Sequence, residues 1–283
     1  MKVKVLNVFN NNVIPKSSLK GKHGNAFYLE FENEKILFDT GSNGPIFLHN
    51  LRELQISPDS IDKIIFSHGH DDHTLGLEDF IRARSIEEKI SVIGHPLIKE
   101  KKYLKILGLR ISYIGYPKLE PDVENKINYI LTKEQFQINE FLYTTGEIQD
   151  RPFKDGTAKY MVHNENGKWV KDPLLDDLSL VLKTENGLVL ICGCCHSGLL
   201  NTCAHAVERF NASISAIIGG THMMFSSRKE LSKVATILEE KYNTPQLYLN
   251  HCTGKKKIKF FEKYFSSDIV KPCLVGTELT FNI

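Results

Sequence analysis

Apolar and polar residues alternate from Met1 to Phe9, the period of a strand with one face on a core, and Asn10-Asn11-Asn12 turns the chain. A polar stretch, Lys16 to Gly24, leads to Asn25-Ala26-Phe27-Tyr28-Leu29-Glu30-Phe31. Asn33-Glu34 then joins that strand to Lys35–Asp39 as a hairpin. Pro45 opens a helix to about Leu54, proline being suited to a first helical turn. Ile61–Phe66 is a short buried strand, followed by a helix near Leu75–Arg84 and a strand at Ile90–Ile93. Pro96–Leu107 has the pattern of a basic amphipathic helix, and Arg110–Ile114 that of a strand.

Between 115 and 176 the pattern weakens. Strand-like pieces occur at Lys126–Leu131 and Phe136–Thr145, and Gly146–Pro173 reads as a long loop, an insertion or lid over a site mouth. Strong periodicity then returns. Leu178–Leu182 and Leu188–Ile191 flank Glu185-Asn186-Gly187, and Asn-Gly is a hairpin turn. A loop, Gly193–Gly198, precedes a helix at Leu199–Phe210, a strand at Ile214–Ile218 and a helix at Ser227–Tyr242. Gln246–Leu249 is a strand, Lys255–Phe265 a helix, and Cys273–Phe281 closes with one strand. The two halves thus repeat one plan: hairpin, loop, helix, strand, polar loop.

The chemistry gathers where strands end. Ser67-His68-Gly69-His70-Asp71-Asp72-His73 follows Ile64-Ile65-Phe66, so its side chains stand at the carboxyl mouth of a strand, where α/β sheets bind ligands. His68 and His70 can turn toward one ion, and Asp72 and His73, about one turn later, toward a second. Imidazole and carboxylate suit Zn first, with Mn, Fe or Ni as alternatives. A catalytic ion needs about three protein ligands. His196, in the loop after Ile191, is the third for the first ion. His251, directly after Leu247–Leu249, completes the second. Asp39 is expected to orient a ligand histidine rather than bind metal.

This His-x-His-x-Asp-His loop resembles the signature of the metallo-β-lactamase superfamily. The resemblance implies an αββα sandwich: a four-layer α/β fold of two face-to-face mixed sheets with outer helices, here one domain over residues 1–283. Hydrolases of that superfamily usually carry a bridging aspartate between the third histidine and the last. Here no aspartate occurs between His196 and His251, and the four glutamates there, Glu208, Glu230, Glu239 and Glu240, fall in helical runs. Thr221-His222 stands at the corresponding strand end, so His222 is a candidate acid/base, hydrogen-bond donor or auxiliary ligand. Asp72 is counted with it as a catalytic candidate.

Further motifs narrow the match. Cys192-Gly193-Cys194-Cys195-His196-Ser197-Gly198, Gly219-Gly220-Thr221-His222 and His251-Cys252-Thr253-Gly254, with Lys22-His23-Gly24 and Phe38-Asp39-Thr40-Gly41, resemble the dihydropteroate-synthase-like branch. That branch includes the 7,8-dihydropterin-6-ylmethyl-4-(β-D-ribofuranosyl)aminobenzene 5′-phosphate synthases of methanopterin biosynthesis. The resemblance implies displacement of diphosphate from a pterin-methyl diphosphate by an arylamine. Hydrolysis by a dinuclear site, of phosphodiester, lactone or thioester, is the alternative. A phosphorylated substrate also suits Thr253, Gly254 and Lys255 at the start of a helix, and Ser197 at another, because free N–H groups and lysines favour phosphate there. His23 is a further candidate for substrate contact. The cysteines read as small core residues, since strand alternation would set Cys192 and Cys194 apart from Cys195.

Composition adds exclusions. At 41% apolar and 25% charged, the 283 residues describe a globular chain, and a net charge of +2 offers no general pull toward nucleic acid or anionic membrane. Six cysteines, three of them crowded at 192–195, read as reduced thiols in a cytoplasmic protein. The N-terminus reads as a strand rather than a signal peptide, and no window approaches the ~18 apolar residues of a membrane span. The expected partner is a small phosphorylated molecule, with no nucleic acid and no membrane; self-association into a homo-oligomer remains open.

Overall fold

The computed structural model describes residues 1–106 and 110–283. It opens with β1 (Lys2–Asn10), β2 (Asn25–Glu30), β3 (Lys35–Phe38), α1 (Gly44–Glu53) and β4 (Lys63–Ile65). Two helical pieces follow, α2 (Asp71–Thr74) and α3 (Leu77–Ala83), then β5 (Ile90–Gly94). The middle holds β6 (Tyr103–Ile106), β7 (Arg110–Tyr113), α4 (Pro121–Glu124), β8 (Ile127–Leu131), β9 (Leu142–Thr144), β10 (Met161–Glu165) and β11 (Lys168–Lys171). The second half runs β12 (Ser179–Thr184), β13 (Gly187–Cys192), α5 (Leu199–Phe210), β14 (Ile214–Gly219), α6 (Arg228–Tyr242), β15 (Gln246–Leu249) and α7 (Lys255–Tyr264). It ends with β16 (Val270–Pro272) and β17 (Glu278–Asn282).

Two mixed sheets form the centre. The first has the order β17, β1, β2, β3, β4, β5, β8, and the second β16, β15, β14, β13, β12, β9. Each is antiparallel on its hairpin side and parallel beyond it, from β3 to β8 in one and from β13 to β16 in the other. The central strands are apolar at successive positions because both of their faces are covered. Along β2 and β3, Phe27, Leu29, Ile36 and Phe38 point to the layer between the sheets. Tyr28 and Leu37 meet α1 and α3 through Phe47 and Phe80 on the other side. In β13, Val189 and Ile191 face the same central layer, while Leu188, Leu190 and Cys192 pack under α5, α6 and α7. The result is helix, sheet, sheet, helix.

Two expectations from periodicity need correction. Pro96–Leu107 is not a helix: Pro96–Lys99 is a single 3₁₀ turn capped by His95 Nδ1, which accepts the Leu97 N–H, and Tyr103–Ile106 is a strand. Leu107, where that reading ended, lies outside the described residues. Cross-strand pairing with β7 and β10 outweighs local helical pattern here. Gly146–Pro173 is likewise not all loop, since β10 and β11 form a hairpin that joins β6 and β7 in a third, four-stranded sheet. The one strand expected in Cys273–Phe281 is β17, while β16, just before it and on the other sheet, was not anticipated. The helix expected near Leu75–Arg84 is α3, and the short α2 is a separate turn before Gly76.

Parallel neighbours bring their carboxyl ends to one rim. There β3 delivers Asp39, β4 delivers the 67–73 loop, β13 the 193–198 loop, β14 the 220–222 segment and β15 the 250–254 segment. Close approach of the two sheets needs Gly193: a Cβ there would stand 2.1 Å from Ser67 Oγ. Asn25 ties the same edge across, its amide bonding the Gly193 carbonyl at 3.2 Å and the Asn250 side chain at 3.3 Å.

Candidate metal centre

Asp39 is the brace of the first ligand loop. Its Oδ1 accepts the Ser67 N–H and its Oδ2 the Ser67 hydroxyl, both at 2.8 Å, and Oδ2 lies 2.6 Å from His73 Nδ1. The His73 Nδ1–H is thereby engaged, leaving Nε2 for the rim. Asp39 does this from a left-handed backbone, φ 65°. Cys195 (57°), His222 (47°) and His251 (45°) share that uncommon conformation at the same edge. Strained non-glycine residues of this kind cluster where the chain must aim a side chain.

The six side chains expected to act together do meet. His68 Nε2 and His70 Nδ1 face each other at 2.9 Å, and the His196 ring centroid is 4.8 Å from His68 and 4.9 Å from His70. His73 lies 4.3 Å from His68 and 5.2 Å from His251, ring to ring. Asp72 Oδ2 sits 3.2 Å from His251 Nε2 and 3.8 Å from His73 Nε2. His23, exposed on the polar segment before β2, brings Nε2 to 3.1 Å from the same carboxylate oxygen. It is therefore also within reach of an ion held by Asp72.

Electrostatics favour ligation. Burial lowers His68 and His196 well below the ordinary histidine value, His70 to about 3 and His251 to about 4, so these rings are neutral. Burial opposes charge on His73 too, but Asp72 and Asp39 outweigh it and raise His73 to about 9. Burial pulls Asp72 upward, yet His73, His23 and His251 hold it well below the usual carboxylate range. Buried His70 Nε2, His251 Nε2 and both nitrogens of His196 lack any hydrogen-bond partner. His251 Nε2 is near Asp72 but out of line with it. Buried polar atoms are ordinarily paired, so lone pairs converging like this fit a cation.

Cys194 is the residue that the sequence reading set aside as a core thiol. β13 ends at Cys192, and the left-handed turn at Cys195 breaks the assumed alternation. Cys192 and Cys195 both join the core under the helices, whereas Cys194 turns to the rim with Sγ 3.1 Å from His73 Nε2. The available signal was glycine: Gly193 and Gly198 bracket a turn, where period-two alternation ceases to apply. Four groupings of ligand atoms arise among the described residues: His68, Cys194 and His196; His73, Cys194 and His251; His23, Asp72 and His251; and His68, Asp72 and His73.

Other expected contacts are placed differently. His222 and His70 belong to none of those groupings; His70 faces His68, whereas the His222 ring lies 4.4 Å from His196 and lines a small cavity with Lys154, Asp155 and Ser226. Ser197 is buried, its N–H and hydroxyl both given to Asp177, so it does not face a phosphate. Thr253 is also buried, bonded to Thr221. Lys255 remains exposed at the start of α7, after Gly254. From the insertion, residues 153–157 lie against the His196 loop, with the Gly156 N–H bonding the His196 carbonyl at 2.8 Å. A Cβ on Gly156 would come 2.9 Å from the His222 Cβ, so glycine lets that segment seat.

The four-layer fold and its rim define a class of metal-dependent enzymes. The sequence profile of the metallo-β-lactamase superfamily matches residues 19–197, and the chain belongs to that superfamily, whose members typically bind divalent metals. It is 29% identical over 256 residues to the 7,8-dihydropterin-6-methyl-4-(β-D-ribofuranosyl)-aminobenzene-5′-phosphate synthase of Methanocaldococcus jannaschii, covering 87% of this chain and 86% of that one. An uncharacterised protein of the same organism is 30% identical over 240 residues, covering 84% and 86%. The solved structure of Tm1679, described as a metal-dependent hydrolase of the β-lactamase superfamily, matches with a TM-score of 0.81 at 25% identity over 98% of both chains. Among the described residues no helix is long and apolar enough to cross a membrane.

Proposed function

We propose that this enzyme acts on a phosphorylated substrate, most like the joining of a dihydropterin-methyl diphosphate to an aminobenzene ribofuranosyl phosphate with loss of diphosphate. The observation that carries the reading is the cleft beside His251. It encloses about 340 Å³ between the ligand rim and α7, and exposed Lys255 and Lys259 line it together with Glu262, Asn10, Asn12 and Asn250. Two lysines beside a ligand rim favour an anionic group next to bound cations. The full-length likeness to the synthase supports the same substrate class.

In this reading His68, His70 and His196 hold one divalent cation and Asp72, His73 and His251 the other, with Zn the first choice and Mn, Fe or Ni as alternatives. When bound, such cations supply Lewis-acid stabilisation of phosphate or diphosphate oxygens. The chain does the rest. Lys255 and Lys259 hold the distal phosphate, and the 153–157 segment limits water around His222. Burial lowers the His222 value, so near pH 7 its ring is neutral and a ring nitrogen can accept a proton. His23, at the exposed edge, contacts the substrate or steadies Asp72.

The test is to offer metal-loaded protein a pterin-methyl diphosphate with and without a phosphorylated arylamine, and separately a set of simple phosphodiesters. Diphosphate release that requires the arylamine supports transfer. The structural likeness to a metal-dependent hydrolase favours a second reading, in which the same site hydrolyses a phosphoester. Cleavage of phosphodiesters with no arylamine effect would establish that instead. Inertness toward all phosphorylated compounds would end both.

A further inference from the structure

Among the described residues Cys194 reaches both sides of the rim, as does Asp72, which groups with His68 and with His251. The Cys194 Sγ belongs to a grouping with His68 and His196 and to another with His73 and His251, every ligand atom within 4.8 Å of the others in its group. Cys194 is buried, and its neighbours present lone pairs with no partner, on His196 and on His251 Nε2. Two cations held ~3.5–4 Å apart repel, and a shared anionic ligand normally offsets that repulsion. No aspartate exists between His196 and His251 to serve, and the four glutamates of that stretch sit on α5 and α6 and join none of the ligand groupings.

We propose that Cys194 is the bridging ligand of the metal pair, its thiolate shared between the cation on His68 and His196 and the cation on His73 and His251. This rests on the two-cation reading of the rim. It uses a position two residues before a ligand histidine, aimed inward by the left-handed turn at Cys195. A thiolate is a soft ligand, so the site should prefer Zn, Co or Fe over Mg or Mn.

Full-length protein loaded with Co(II) tests this through its spectrum, independent of turnover. A thiolate bound to cobalt gives an intense near-ultraviolet charge-transfer band that nitrogen and oxygen ligands do not. The band is expected in the wild type, lost in Cys194→Ser, and kept in Cys252→Ser, the other buried thiol near the rim. Elemental analysis should show about two metals per chain falling to about one in Cys194→Ser, with Cys194→Asp restoring the second. Should Cys194→Ser fail to fold, the wild-type spectrum with that of Cys252→Ser still decides. Two cobalt ions bound without the band would overturn the bridge while leaving the cation pair intact. A band that disappears in Cys252→Ser would move the thiolate elsewhere, and a chain that binds no metal would remove both readings.

Discussion

Asp39 shows how much one residue can organise. Its carboxylate orders the backbone at Ser67 and the ring of His73 together, from a position that does not itself face the rim. Partners of this kind are worth about 10–100-fold in metal affinity. Asp39→Asn is therefore expected to weaken metal binding by about that factor, read by competition with a coloured chelator. His222 stands apart from the ligand groupings and close to His196. His222→Ala should keep its metal by elemental analysis while turnover falls by about 10²–10⁴, the usual worth of a general acid or base. Complete metal loss would make it a ligand. Of these side chains, His68, His70, Asp72 and His73 were legible because they adjoin in sequence. Cys194 was hidden because its direction is set by a turn whose dihedral no residue pattern declares.

Among the elements, the segment before β12 couples the third sheet to both ligand loops. Asp176 accepts the Gly69 N–H at 2.8 Å and pairs with buried Lys102 at 3.0 Å, while Asp177 accepts the Ser197 N–H at 2.8 Å. Lys102 also approaches Asp172 at 3.9 Å. Removing one member of a buried charge group leaves the others uncompensated, so Lys102→Ala should cost about 3–5 kcal/mol in urea unfolding. Lys102→Ala should also loosen His68 and His70 through Gly69.

Asp177 makes a pH-dependent contribution. Burial pushes it up to about 6 from an ordinary 3.8, against the pull of the Ser197 and His196 N–H groups and Arg151. A carboxyl raised by folding stabilises the fold in its protonated form. That contribution is complete below the unfolded value and is lost as pH rises through about 6. Asp177→Asn retains an oxygen for the Ser197 N–H. In metal-free protein it should unfold at higher urea than the parent near pH 8, with the difference closing below about pH 4. The same region marks where periodicity misled. A strand at Tyr103–Ile106 and a hairpin at 161–171 exist because they pair with each other and with β7, and isolated windows contain no record of such partners.

At the scale of the whole molecule, the two halves place parallel strand ends on a common rim, and the rim concentrates buried polar atoms without protein partners. A ligand that binds only the folded state stabilises it by mass action, about 2.7 kcal/mol at a hundred times its Kd. Chelation should therefore lower the melting temperature, and added Zn should restore it in scanning calorimetry. An unchanged melting curve on stripping metal would mean that the rim folds around no ion. The cleft at α7 is a property of this scale as well. Lys255 and Lys259 follow His251 in sequence, but only the packing of α7 against β16 and the 10–12 turn makes a pocket of them.

Outside 96–176 and the strand β16, the order of strands and helices, with the doubled plan and the cluster at 68–73, followed from the sequence alone, because hydrophobic period and adjacent ligands are local properties. The meeting of His196 and His251 with that cluster could be anticipated from their places at strand ends, but its distances belong to the tertiary structure. So do the third sheet, the withdrawal of Ser197 and Thr253 into the core, and the inward turn of Cys194. Each depends on which strand pairs with which and on a backbone dihedral at a turn. Those are settled by contacts between residues far apart in the chain, not by neighbours in sequence.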